Sequence, residues 1–154
     1  MTTRPEHQLS NQICHSLYTA TNAMVRAYRP LLEPLDLTYP QYLVMLALWE
    51  QDGIAVKELV RQTRFDSGSL TPILKRLEQK GIIERQRSDN DERQRLLKVT
   101  AAGKAKQIEA KSVPQAFYCR TGVTPEQAQQ IKELSETLYQ HLAQSDPEPE
   151  RKQG

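Results

Sequence analysis

A chain of 154 residues with 38% hydrophobic and 26% charged residues has the length of one compact domain and a composition at the polar end of the ordinary soluble range. No window approaches the roughly 18 apolar residues of a membrane span, and the opening MTTRPEHQLSNQ holds no apolar signal core, so the expected location is the cytoplasm, with no membrane partner. The net charge of +2 is uneven: residues 57–98 carry 11 basic and 7 acidic side chains (net +4), residues 1–56 carry 3 and 5, and residues 99–154 carry 7 and 7. A cationic middle third suits a nucleic-acid partner, although charge alone is equally served by a solvated surface.

In chain order, residues 7–32 read as a helix. Leu9, Ile13, Leu17, Ala20, Met24, Ala27 and Leu31 recur every three or four positions, and Pro30 and Pro34 kink or end it. Thr38-Tyr39-Pro40-Gln41 then has the form of a capping box with proline in the first turn. The following run, Tyr42 to Trp49, is apolar all round and predicts a buried central helix. Residues 56–63 form a short helix with Leu59 and Val60 inward, and Arg64-Phe65-Asp66 is the turn. Asp66 or Ser67 caps the next helix, which runs to about Lys80 with Leu70, Ile73, Leu74 and Leu77 as its inner stripe and Gly81 as its stop. Its outer face keeps Ser67, Ser69, Thr71, Pro72, Lys75, Arg76 and Gln79.

Residues 82–88 and 95–100 read as two strands around a polar tip, Asp89 to Gln94. A helix follows to about Lys111, Val113-Pro114 interrupts, and Cys119 to Gly122 closes that stretch. Thr124-Pro125-Glu126-Gln127 is a second capping box, opening a helix expected to bury Ile131, Leu134, Leu138 and Leu142. Residues 145–154, rich in proline and charge, read as a disordered tail. No internal repeat is present.

The order helix, turn, helix, hairpin is that of a winged helix-turn-helix, so the expected class is mainly α with a small β hairpin. A helix fits the major groove, where base edges present distinct donors and acceptors. Ser67, Ser69, Thr71, Pro72, Lys75 and Arg76 supply short polar groups and cations on the outer face. At the hairpin, Arg93 is placed to enter a narrow minor groove. Asp91, two residues away, is placed to brace its guanidinium, and Arg85, Arg87 and Arg95 lie on the strands within reach of phosphates. The plainer alternative is a surface helix with a basic outer face.

These residues carry a family resemblance. Asp66-Ser67-Gly68-Ser69-Leu70-Thr71-Pro72-Ile73-Leu74-Lys75-Arg76-Leu77-Glu78 resembles the recognition helix of MarR-type regulators, and Arg87-Ser88-Asp89-Asn90-Asp91-Glu92-Arg93 resembles their wing. Cys14 to Tyr18, Arg26-Ala27-Tyr28-Arg29-Pro30-Leu31-Leu32 and Leu37 to Glu50 look like the OhrR branch, which senses organic hydroperoxides; the likeness spans residues 9–144. It implies one MarR-type domain over residues 1–144. The winged lobe would cover about 38–100, and dimerisation helices about 7–34 and 101–144. It also implies a homodimer on palindromic double-stranded operator DNA, with an organic hydroperoxide as oxidant. The apolar stripes of the first and last helices agree, because each needs a partner.

Cys14 and Cys119 are the only cysteines, with no metal-ligand spacing, and no cofactor is expected. Read without the resemblance, Cys14 is better explained by packing than by redox sensing. The resemblance makes it the peroxide-reactive thiol, with Tyr18 and Tyr28 hydrogen-bonding the sulfur, one from each subunit. Tyr18 lies one turn on from Cys14 and shares its face, whereas His15 faces away; interface packing remains the alternative for both tyrosines. Cys119 resembles the resolving cysteine of two-cysteine members, which implies an intersubunit Cys14–Cys119 disulfide that releases the DNA. An external thiol, a phenolic or aromatic ligand acting independently of Cys14, and a cysteine-based thiol peroxidase stay open beside this reading.

Overall fold

The computed structural model describes residues 4–145. It contains two compact units, one reaching to Phe117 and the other beginning at Tyr118. Among the described residues no helix is long and apolar enough to cross a membrane.

The chain enters through two 3-10 turns, Pro5–His7 and Leu9–Asn11, and only then forms helix α1, Ile13–Leu32. The helix expected from residue 7 therefore starts six residues late. Gln8 and Gln12 have extended backbones, and side-chain amides take the carbonyls that a continuous helix would have used. Asn11 Nδ2 donates to the Pro5 carbonyl at 3.0 Å and Gln12 Nε2 to that of Glu6 at 2.8 Å. Pro30 lies within the last turn without ending the helix, while Pro34 belongs to the 3-10 turn Glu33–Leu35 that follows.

Helix α2, Tyr39–Glu50, opens on the expected capping box. Gln41 N–H donates to Thr38 Oγ1 at 3.4 Å, and Thr38 N–H donates to Gln41 Oε1 at 3.2 Å. Tyr42, Val44, Met45 and Leu48 are buried, but Leu46, within the run expected to be buried, is exposed. A two-residue strand β1, Ile54–Ala55, comes next; it is too short to show a period and was not expected. Helix α3, Val56–Thr63, ends at Arg64 in the left-handed region. Helix α4, Ser67–Gln79, is capped by Asp66, which resolves the choice between Asp66 and Ser67.

Strands β2, Ile83–Arg87, and β3, Arg95–Val99, form the hairpin, slightly shorter at its ends than expected. The sheet order is β1-β3-β2, all antiparallel, so the central strand is β3. Leu59, Leu70, Leu74, Leu77, Ile83 and Leu97 fill the core between these elements, and Val60 and Ile73 pack against it half-buried.

Helix α5, Ala101–Glu109, begins at Thr100, whose hydroxyl accepts from Gly103 N–H at 3.1 Å and donates to the Gly81 carbonyl at 2.6 Å. Gly103 is required here by close approach: a Cβ would lie 2.1 Å from the Ile82 carbonyl oxygen. That carbonyl accepts from Thr100 N–H at 3.1 Å, and Trp49 Nε1 donates to the Gly103 carbonyl at 3.0 Å, locking α2 to α5. A 3-10 turn, Ala110–Ser112, leads into helix α6, Val113–Thr121.

In the second unit, helix α7, Pro125–Ser145, opens on the expected box, with Gln127 N–H donating to Thr124 Oγ1 at 3.2 Å and Thr124 N–H to Gln127 Oε1 at 2.9 Å. Its inner stripe is not buried within the chain: Ile131, Leu134 and Leu142 are exposed and Leu138 is half-buried. Of the expected tail, Ser145 ends α7, and residues 146–154 lie outside the described residues.

Candidate nucleic-acid interface and thiol site

Helix α4 buries Leu70, Leu74 and Leu77, which turns Ser67, Ser69, Thr71, Pro72, Lys75 and Arg76 outward; all six are exposed. The Asp66 carboxylate accepts from Ser69 N–H at 2.8 Å and from the Ser69 hydroxyl at 2.7 Å. Those two bonds hold its carboxyl below the usual carboxylate range, the hydroxyl contributing first. The Thr71 hydroxyl donates to the Ser67 carbonyl at 2.8 Å. Among the described residues no ion pair engages Lys75 or Arg76.

The hairpin sorts the expected arginines into two groups. Arg85 is occupied, its Nε donating to Glu78 of α4 at 2.9 Å, so it ties the strand to the helix. Arg87 and Arg95 are direct cross-strand partners and have no carboxylate partner among the described residues. Like charges set opposite each other cost stability unless an anion lies between them. At the tip, Asp91 does not brace Arg93 through the guanidinium. Its Oδ1 accepts from the Arg93 backbone N–H at 2.9 Å, which fixes the turn, and among the described residues no ion pair engages the Arg93 guanidinium.

One further contact has no signal in the sequence. Lys80, at the end of α4, donates to the Asp36 carbonyl and, at 3.1 Å, to Gln41 Oε1, and it pairs with Asp36 Oδ2 at 3.3 Å. It fastens α4 to the link between α1 and α2.

The thiol region lies at the start of α1. Cys14 is exposed, as are Ile13, Leu17 and Tyr18, and no disulfide is formed. Tyr28 lies elsewhere. Its ring stacks on Phe117 at 4.0 Å and contacts Tyr39 at 4.9 Å and Tyr42 at 5.8 Å. Burial first, then Tyr39 and Tyr42, push its phenol up to about 12, so at neutral pH it keeps its proton. Cys14 and Tyr28 are fourteen residues apart on one helix, about 21 Å along its axis, so one chain cannot bring them together. The companions of Tyr28 were not singled out from the sequence, because their contacts join positions far apart in the chain. Cys119 is exposed near the end of α6, and beside it the Tyr118 hydroxyl is buried with no hydrogen-bond partner among the described residues.

Between α2 and the α5–α6 segment is a cleft of about 810 Å³, lined by Tyr42, Leu46, Trp49, Ile108 and Pro114 among others. The exposed Leu46 belongs to its wall.

Comparisons with known proteins agree with this architecture. A family model described as transcriptional regulator SarA/Rot matches residues 26–110. The organic hydroperoxide resistance transcriptional regulator of Bacillus subtilis (strain 168) is 41% identical over 132 residues, covering 86% of this chain and 88% of that protein. The structure of reduced AbfR bound to DNA, a Staphylococcus epidermidis protein, aligns with TM-score 0.72 and 32% identity over 90% of this chain and 96% of that one. Escherichia coli MarR in complex with operator DNA aligns with TM-score 0.75 and 26% identity over 82% and 92%. This chain therefore belongs to the MarR family of winged helix transcriptional regulators, within which it is similar to the organic hydroperoxide regulators.

Proposed function

We propose that the protein is a homodimeric repressor that binds palindromic operator DNA and releases it when an organic hydroperoxide oxidises Cys14. One observation carries the reading. Cys14 and Tyr18 lie exposed on an apolar helix face, and Cys14 is about 21 Å along the helix from the proton-bearing Tyr28 of its own chain, so in this reading a second copy supplies the Tyr28. The exposed apolar stripes of α1 and α7 support such a pairing. The relative named for organic hydroperoxide resistance supports the oxidant.

In this reading α4 enters the major groove through Ser67, Ser69, Thr71 and Pro72. Lys75, Arg76 and Arg87 neutralise phosphates and Arg93 reaches the minor groove. Arg85 and Asp91 act from behind, bracing helix and wing. The Cys14 thiolate attacks the outer peroxide oxygen. An S–O bond forms as the O–O bond breaks, and the departing alkoxide takes a proton to leave as alcohol. Sulfur gives two electrons to the peroxide and becomes sulfenic acid. The thiolate of Cys119 of the partner subunit then attacks that sulfur, forming the disulfide and expelling hydroxide, which leaves as water. Disulfide geometry requires Cα atoms within about 7 Å, so closing it moves the lobes out of register with successive grooves.

The test is operator affinity before and after an organic hydroperoxide, with intact mass on non-reducing gels. A crosslinked dimer with lost affinity is expected. Unchanged affinity, or loss that persists in Cys14→Ser, would overturn the reading; a small adduct on Cys14 would replace Cys119 by an external thiol. Peroxide consumption should be stoichiometric, since turnover at catalytic rates would favour a thiol peroxidase. The apolar cleft favours a second reading, release by a phenolic or aromatic ligand, because its volume falls in the range of small-molecule sites. Ligand-dependent release that Cys14→Ser leaves intact would establish it.

A further inference from the structure

The hydroxyl groups on the outer face of α4 are not equivalent. A hydroxyl has one hydrogen to give and two lone pairs to offer, and which of these a ligand meets is normally undecided. Here the partners decide it. A carboxylate can only accept, so the Ser69 hydroxyl, 2.7 Å from Asp66 Oδ2, spends its hydrogen there. A backbone carbonyl can only accept, so the Thr71 hydroxyl, 2.8 Å from the Ser67 carbonyl, spends its own in the same way. The Ser67 hydroxyl forms no hydrogen bond among the described residues and keeps both capacities. Resting on the DNA-binding reading above, we propose that Ser69 and Thr71 meet the major groove only as acceptors, so the groups they read are the exocyclic amino groups of adenine and cytosine.

The physical argument is one of commitment. Ser69 cannot turn its hydrogen toward a guanine O6 or N7 without giving up a charge-assisted bond, which is about twice as strong as a neutral one. Asp66 is held in its ionised form by the same contacts and is the N-cap of the helix, so it does not swing away. Thr71 would have to abandon a bond that follows the helix's own i to i−4 spacing. In the major groove the donors are adenine N6 and cytosine N4, while guanine offers only acceptors there. Asp66, which has no hydrogen to give and faces no base in this scheme, acts as a positioning residue that sets the polarity of Ser69.

The experiment uses the full chain and a duplex enriched by it from a random pool. That duplex is resynthesised with single replacements. Purine stands for adenine and pyrimidin-2-one for cytosine, each lacking the amino group; 7-deazaguanine stands for guanine and lacks N7. Affinities are measured for the native protein, Ser69→Ala and Thr71→Val. Removal of an amino group at one or two positions per half-site should weaken native binding roughly three- to tenfold, the worth of one hydrogen bond. The same removal should cost nothing further in the variant that lacks the matching hydroxyl, while losses at N7 stay equal in all three proteins. Asp66→Ala should restore donation by Ser69 and create sensitivity to N7. Coupling of Ser69→Ala or Thr71→Val to N7 alone, or to no base, would overturn the proposal while leaving DNA binding intact. A pool from which nothing is enriched would overturn the DNA-binding reading itself.

Discussion

The winged lobe and the two long flanking helices use the same pattern of apolar residues and end differently. Leu70, Leu74 and Leu77 of α4 recur at helical spacing and are buried almost completely. Ile131, Leu134 and Leu142 of α7 recur at the same spacing and stay open to solvent, as do Ile13 and Leu17 of α1. Periodicity says which face of a helix is apolar; it does not say which molecule covers that face. In the lobe, the hairpin and α2 return onto α4 and close a core. In α1 and α7 the stripe is left over, the state expected of a surface that a second copy completes.

The sharpest way to break this contrast is to truncate one leucine on each side. Leu70→Ala should lower unfolding stability by about 3–4 kcal/mol, the cost of a cavity in a packed core, read as a shift of the urea midpoint at constant slope. Leu134→Lys should leave the fold of each chain intact but weaken association by about 2 kcal/mol, roughly thirtyfold, seen by sedimentation as dissociation at higher concentration. If Leu134→Lys instead unfolds the chain without changing its assembly, α7 is core and the contrast fails.

Smaller effects test how the lobe is tied to α1. Thr38→Ala removes one half of the α2 capping box and should cost about 1 kcal/mol by urea denaturation, with DNA affinity little changed. The phenol of Tyr28 is displaced upward from 10.0 to about 12, so its folded-state contribution is complete below pH 10 and is lost as pH rises through 12. Tyrosinate absorbance should show one phenol titrating last, and Tyr28→Phe should remove that step and flatten the alkaline loss of stability. The smallest effect is at Glu58, whose hydrogen bond from Arg61 and then that from Gln62 lower its carboxyl from 4.5 to about 2. The stabilisation is present above pH 4.5 and fades as pH falls toward 2; Glu58→Gln should abolish that slope with little effect at neutral pH.

Local chemistry is legible in the sequence. Both capping boxes, the stop at Gly81 and the inner stripe of α4 depend on residues within a few positions of one another, and each is found where it is expected; the cap of α4, open between Asp66 and Ser67 in the sequence, falls on Asp66. The start of α1 was misread because its apolar spacing continues through two 3-10 turns, and spacing does not register which carbonyls the amides of Asn11 and Gln12 have taken. Strand β1 was missed because two residues carry no period; its existence depends on pairing with Leu96 and Leu97. Among the arginines, the sequence could not distinguish Arg85, neutralised by Glu78, from Arg87 and Arg95, set against each other by strand register.

By itself, then, the sequence determined the order of the main helices and hairpin strands, the two capping boxes, the apolar faces of α1, α4 and α7 and the family to which the chain belongs, because these follow from short-range spacing and from residue identity. Only the tertiary structure decided which apolar faces remain uncovered, which cations are already paired, and that Tyr28 sits among the rings of Tyr39, Tyr42 and Phe117. It also decided that Lys80 clasps Asp36 and Gln41 and that two hydroxyls of α4 have already given their hydrogens away. The reason is common to all of these. Each depends on the side-chain partners that folding supplies, some of them distant in the chain, and spacing along a sequence does not reveal how those partners are shared.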